Sequence, residues 1–416
     1  MKPTAMRSRL WILAALIVVS VSALSAQKPV RDLKPTVILV SIDGFRYDYL
    51  EKYSPPTLNK LAKEGVRARW MIPSFPTKTF PNHYSIATGL YPEHHGIIEN
   101  NIWGFGATFS LGKTEEVRNS RWWLGEPIWV TAEKQGRRSA SFFFPGTEAK
   151  IQGVRPTYWK EYDGSVPNND RVDAVLSWLD LPQDKRPAFL TLYFSDVDDA
   201  GHAFSPDSAE TRAAVLRVDA NIARLYNGLK KRKINKKVAL IIVSDHGMAA
   251  LDQRNAVLLD SYFNQDLAER ILWTGEIVQI FPKPGELEKI MSGLRDVQHA
   301  ACWRKQDIPL RLHYQASPRI APVVCSAKEG WLLTDTQRYE SLKKRADFGR
   351  LHGAHGYDNK YESMRALFIA HGQPFKKHLI AEPFENIQVY NLMCRILRIV
   401  PAPNDGDPNR LLGLLR

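Results

Sequence analysis

The 416-residue chain is 44% hydrophobic and 24% charged, proportions that provide a large core and exclude a disordered or fibrous chain. Its three cysteines, Cys302, Cys325 and Cys394, exclude a disulfide scaffold and lack the close spacing of a zinc knuckle. A formal charge of +13, still positive once Lys2, Arg7 and Arg9 are discounted, favours anionic substrates.

Residues 1–26 set those three basic residues ahead of an apolar run from Leu10 to Val21, followed by Ala23, Ser25 and Ala26. This is the order of a secretory signal peptide. The run is short for a bilayer span, so cleavage is expected, with an uncleaved N-terminal anchor as the alternative. Residues 27–416 are then expected to be one periplasmic or secreted unit with inserted subdomains and no further membrane span.

Four runs read as buried, parallel-type strands: Val37 to Ile42, Phe189 to Phe194, Val238 to Val243 and Leu367 to Ala370. Between the second and third, Val215, Val218, Ile222, Leu225 and Leu229 share one helix face. Strand and helix alternation predicts an α/β sandwich, a mostly parallel central sheet flanked by helices.

Three of these strands run into acids. The first meets Asp43, the second Asp196 and Asp198, the third Asp245 and His246. In open α/β sheets the carboxyl ends of strands form the ligand crevice, and acids gathered there repel one another without a cation. His202, four residues after Asp198, and His355 before Gly356 add imidazoles, a donor set suited to zinc, with manganese as a substitute. Taken singly, each fragment reads as a turn or loop; their shared position at strand ends points to metal.

Pro76-Thr77-Lys78-Thr79-Phe80-Pro81-Asn82-His83 places Pro81 in the first turn of a helix running to about Thr88, with Thr79 or Phe80 at its N-cap. A helix start offers free N–H groups to an anion. A threonine beside a metal can attack phosphorus, although a plain cap is the simpler local reading. The basic run Lys230, Lys231, Arg232, Lys233, Lys236 and Lys237 has no interleaved aromatics, so no nucleic-acid partner is expected. Cys302 with Cys325 closes a short loop and is the favoured disulfide, leaving Cys394 as a buried thiol.

Together, Ser-Ile-Asp-Gly-Phe-Arg at Asp43, Pro-Thr-Lys-Thr-Phe-Pro-Asn-His, Thr-Gly-Leu-Tyr-Pro-Glu-His-His-Gly-Ile, Asp-x-x-Gly-His, Ser-Asp-His-Gly-Met and Gly-x-His-Gly-Tyr-Asp-Asn resemble the nucleotide pyrophosphatase/phosphodiesterase family of the alkaline phosphatase superfamily. The blocks follow the family order from about Pro35 to Pro403, in what looks like a bacterial, catalytic-domain-only member. The resemblance implies an alkaline-phosphatase-like sandwich with an inserted smaller subdomain and two Zn2+ per chain. One ion would lie on Asp198, His202 and His355, the other on Asp43, Asp245 and His246, with Thr79 as nucleophile bridging toward both. It further implies that Asn100 donates to a phosphate oxygen, that Phe80 and Tyr162 sandwich a nucleobase, and that Tyr193 lines the site wall. A phospho-threonine ester would form and be hydrolysed, releasing nucleoside 5′-monophosphates from a nucleotide or related phosphodiester. Leu124 departs from relatives with lysine there, which removes one charge contact to substrate. A glycerophosphodiester or lipid-headgroup phosphodiesterase on the same site is the nearest alternative; a non-catalytic zinc- or anion-binding exported protein is the other.

Overall fold

The computed structural model describes residues 29–416, so the leader of residues 1–26 lies outside the described residues. An eight-stranded sheet organises the chain. Its strands are β1 (Val37–Ile42), β2 (Val66–Ala68), β3 (Ser139–Phe142), β4 (Tyr158–Lys160), β5 (Phe189–Phe194), β6 (Ala239–Val243), β7 (Phe368–His371) and β8 (Leu379–Ala381), in the spatial order β8-β2-β7-β6-β1-β5-β3-β4. The central strand β1 is fully buried and pairs in parallel with both β5 and β6. Its alternate residues enter two cores: Val37 and Leu39 pack on one face of the sheet, Ile38, Val40 and Ile42 on the other. A strand buried on both faces reads as an unbroken apolar run, which is why β1, β5 and β6 are visible in the sequence.

The fourth predicted strand corresponds to β7, one residue later than expected, and its parallel direction is corrected. β7 is antiparallel to both β6 and β2. Burial on both faces sets composition but not direction. Direction follows from the chain path, because β7 is entered from the segment after His355 at the carboxyl edge and must run back across the sheet. The short outer strands β2, β3, β4 and β8 carry too few residues to show a pattern in the sequence.

Two helices matter for the site, and a third supports them. α1 (Thr79–Thr88) ends at Gly89, held at φ 70°. α2 (Asp196–Phe204) starts directly at the end of β5. α3 (Ala209–Lys231) buries the predicted stripe Val215, Val218, Ile222, Leu225 and Leu229, each 0% exposed. Ser208 caps it by accepting from the Thr211 N–H at 3.0 Å. Among the described residues no helix is long and apolar enough to cross a membrane.

Between β6 and β7 lies a smaller antiparallel sheet of four strands, Ala268–Trp273, Ile277–Pro282, Val323–Ala327 and Ala300–Arg304 in spatial order. It is the inserted subdomain of the expected fold. Cys302 and Cys325 face each other across two of its strands and are disulfide-bonded. Cys394 is a buried free thiol whose pKa burial pushes up to about 12, which leaves it unreactive in the native protein.

Candidate metal centre and active site

The carboxyl ends of β1, β5 and β6 converge, as expected of neighbouring parallel strands. Asp43, Asp245 and His246 bring one ligand atom each to within 4.8 Å of one another, and Asp198, His202 and His355 form a second such group. Asp43, Asp245 and His246 are buried, whereas the other group reaches solvent through His202, whose side chain is 44% exposed. Asp198 and His202 stand one turn apart on α2, on one helix face. Gly44, at φ +66°, lets β1 turn beneath α2; a Cβ there would lie 2.9 Å from the Asp198 Cα. Asp196 does not join the cluster, because its carboxylate accepts from Asn168 at 2.8 Å and Arg217 at 2.9 Å.

The three histidines are oriented alike. Nδ1 lies against a backbone carbonyl in each case: Gly353 at 2.9 Å for His202, Gly247 at 2.8 Å for His246 and Thr77 at 2.8 Å for His355. A carbonyl only accepts, so Nδ1 carries the proton and Nε2 presents its lone pair to the site. The Nε2 atoms of His202 and His355 are 3.1 Å apart, a contact in which neither neutral ring can donate to the other. Oδ1 of Asp43, Oδ1 of Asp198 and Oδ2 of Asp245 are buried without a hydrogen-bond partner. Burial and then the Asp245 and Asp198 charges hold the Asp43 carboxyl well above its ordinary range. Orphaned carboxylate oxygens facing imidazole lone pairs are a donor set for divalent cations, and zinc fits it.

Thr79 lines one cavity together with Asp43 and Asp198, one residue from each group. Its Oγ1 is 3.3 Å from Nε2 of His246. The helix starts one position earlier than predicted: Lys78, extended at φ −109° and ψ 154°, is the N-cap, so Thr79 is the first helical residue and Pro81 the third. The expected row of free N–H donors is also reduced. Asn100 Oδ1 accepts from the Phe80 N–H at 3.0 Å, Pro81 has none, and the Asn82 N–H bonds the Lys78 carbonyl at 3.1 Å. Among the described residues, only the Thr79 N–H at this helix start keeps no protein acceptor. Because its oxygen is engaged, Asn100 retains the NH2 end of its amide for a ligand.

Beside these groups is a cavity of about 300 Å3 lined by Asp43, Thr79, Phe80, Tyr162, Tyr193 and Asp198 among others. Phe80 and Tyr162, the predicted stacking pair, both face it; Tyr162 is 51% exposed and its ring packs edge-on to Phe143. Tyr193 does more than line the wall, since its hydroxyl donates to Asp43 Oδ2 at 2.6 Å. Leu124 is exposed and does not line the cavity.

Two supporting groups escaped the sequence reading. His83, one turn along α1 from Thr79, places Nδ1 2.9 Å from the Thr79 carbonyl and 3.3 Å from Asp245 Oδ2. The four-residue spacing was the available signal. Lys78 is buried and paired with Glu276, from the inserted subdomain, which no local pattern announces.

His95 braces the far side of α1. It accepts from the Ile97 N–H at Nδ1, so Nε2 carries the proton and donates to Ser85 Oγ at 3.0 Å. Burial lowers its pKa from 6.5 to about 3. The unfolded chain therefore binds this proton more readily, and the contribution of neutral His95 is complete above pH 6.5 and lost as pH falls toward 3. Urea titrations between pH 7 and 4 are expected to show stability falling with acid, with a shallower fall in His95→Gln.

The comparisons with known proteins bear on this arrangement. The family model described as type I phosphodiesterase / nucleotide pyrophosphatase matches residues 37–358, most of the chain. The chain belongs to that family. Venom phosphodiesterase 2 of Crotalus adamanteus is 40% identical over 406 residues, 94% of this chain and 49% of the relative. Ectonucleotide pyrophosphatase/phosphodiesterase family member 1 of Homo sapiens is 40% identical over 396 residues, 92% of this chain and 42% of the relative. The chain thus spans about half the length of the curated relatives it matches. Among solved structures, human ectonucleotide pyrophosphatase/phosphodiesterase 5 superposes with a TM-score of 0.85 at 33% identity, covering 92% of this chain and 100% of that one. An inactive threonine-to-alanine variant of the murine form, in complex with AMP, matches at TM-score 0.84 and 32% identity over 92% of this chain and 100% of that one.

Proposed function

We propose that the chain is an exported phosphodiesterase and nucleotide pyrophosphatase that releases nucleoside 5′-monophosphates, with residues 27–416 as its catalytic domain behind a cleaved leader. The observation that carries this is the position of Thr79, a helix-start hydroxyl 3.3 Å from the His246 imidazole that lines one aromatic-walled cavity with Asp43 and Asp198, a residue of each three-residue group.

Asp198, His202 and His355 would hold one zinc ion and Asp43, Asp245 and His246 a second. Bound there, the pair supplies Lewis acidity to the oxygens that attack and leave phosphorus. The remaining chemistry belongs to the chain. Thr79 Oγ1 bonds to phosphorus as the bond to the first leaving group breaks, and its proton ends on the departing oxygen; water then adds its hydroxyl to phosphorus and its proton to Oγ1, which breaks the phospho-threonine ester and frees the monophosphate. Asn100, its amide fixed by the Phe80 N–H, and the free Thr79 N–H face the charge that develops on the phosphoryl oxygens. Phe80 and Tyr162 hold the base by stacking, and Tyr193 fixes the Asp43 carboxylate. AMP in the murine relative, at an inactive threonine variant, supports both the nucleotide and the threonine roles.

Rates on p-nitrophenyl thymidine monophosphate, p-nitrophenyl phosphorylcholine and p-nitrophenyl phosphate test the assignment. The nucleotide diester should be fastest; preference for the monoester overturns a diesterase, and preference for the choline ester moves the substrate to lipid headgroups. Tyr162→Ala should raise KM for the nucleotide about tenfold, within the roughly 1 to 3 kcal/mol of one base–aromatic stack, and leave p-nitrophenyl phosphate unaffected.

A further inference from the structure

The basic run that ends at Lys237 has no part in the chemistry above, yet it leads to a second cavity. This one holds about 350 Å3 at the amino edge of the sheet, where β2 and β6 begin and β7 ends, opposite the strand ends that carry Asp43 and Asp245. Lys236, from that run, lines it together with Lys376, Lys377 and Arg416. Three distant segments are tied together at its rim: the Gln373 N–H donates to the Lys236 carbonyl at 2.6 Å, and the Lys376 N–H to the Leu414 carbonyl at 2.9 Å. Gly372, at φ +123°, lets the chain pass tightly beneath, since a Cβ there would lie 2.0 Å from the Val238 carbonyl.

The charges around this cavity are out of balance. None of the four side-chain cations forms an ion pair among the described residues, although the Arg416 guanidinium donates to the Phe375 carbonyl at 2.8 Å, and the one side-chain carboxylate lining the cavity is Glu64. That carboxylate is already shared between His371 Nε2 at 3.7 Å and Lys60 Nζ at 4.0 Å. His371 is 8% exposed, its Nδ1 has no partner, and burial holds its pKa below the ordinary value. Exposed cations that line one concave space repel each other, and an anion in that space relieves the repulsion. The cavity is large enough for a phosphoryl group and too narrow for a duplex.

We propose that this cavity is a second anion site, separate from the catalytic centre, that takes a phosphoryl group through Lys236, Lys376, Lys377 and Arg416. The group is supplied either by free inorganic phosphate or by the headgroup of an acidic phospholipid. Lysine heads act there as point charges on the phosphoryl oxygens.

Calorimetric titration of the zinc-loaded full chain with inorganic phosphate should show two events, one competitive with substrate and one not. In Lys236→Ala/Lys376→Ala the second event should weaken about a hundredfold, roughly tenfold per charge-assisted hydrogen bond, while kcat stays unchanged. A second arm measures sedimentation with phosphatidylcholine vesicles with and without phosphatidylglycerol; the leader is common to both proteins and cannot create a difference between them. Loss in the phosphate arm assigns a free anion, and loss only with phosphatidylglycerol vesicles assigns a headgroup. Recovery in Lys236→Arg/Lys376→Arg would tie the effect to charge. Identical phosphate and vesicle binding by wild type and the alanine variant overturns the site.

Discussion

Thr79→Ala is expected to lower turnover of p-nitrophenyl thymidine monophosphate by roughly 10^4-fold or more, the scale on which removal of a covalent nucleophile acts. The metal content should stay at two ions per chain, because each group brings three ligand atoms together without Thr79. Folding should be nearly unaffected. Thr79 is the first residue of α1, where its side chain makes no capping bond, and alanine is a good helix former. AMP affinity should also persist, since Phe80 and Tyr162 remain on the cavity wall. Thr79→Ser should recover a measurable part of the rate, because it restores a hydroxyl at the same atom. A Thr79→Ala enzyme that turns over normally with both ions bound would remove the phospho-threonine ester from the mechanism.

Much of this geometry was legible because it rests on local rules that survive without coordinates. An apolar run followed by Asp43, another by Asp198 and a third by Asp245 and His246 is a statement about strand ends, and parallel neighbours bring those ends together. The direction of β7 was not legible, since its composition reflects burial alone and its orientation depends on a chain path fixed by the inserted subdomain. The cap of α1 was misplaced by one residue for a related reason. Serine, threonine and asparagine announce caps by their side chains, whereas Lys78 serves by its extended backbone and spends its ammonium on Glu276, nearly 200 residues away. The role of Tyr193 was half legible: a strand residue facing the site could be inferred, but a hydrogen bond to Asp43 across two strands could not. His83 shows the same limit, because its spacing from Thr79 is local while its contact with Asp245 is not.

Chelation is expected to abolish activity and also to loosen the fold. Asp43, Asp198 and Asp245 each bury a carboxylate oxygen that accepts no hydrogen bond, and a bound cation would satisfy it. Ions that bind the native chain and not the unfolded one stabilise by mass action, about 2.7 kcal/mol per site at a hundred times the dissociation constant. Two sites lost together should therefore lower Tm by roughly 5 to 10 °C, and added zinc should restore Tm and activity in parallel. The two groups should not respond equally. The His202 side chain is partly exposed, whereas Asp43, Asp245 and His246 are closed off from solvent, so the ion on Asp198, His202 and His355 should leave first under limiting chelator. His202→Ala should then retain about one ion per chain with most of the thermal stability and little of the rate. Two ions released together at every chelator concentration, with no fall in Tm, would mean that the carboxylates are balanced by something other than metal.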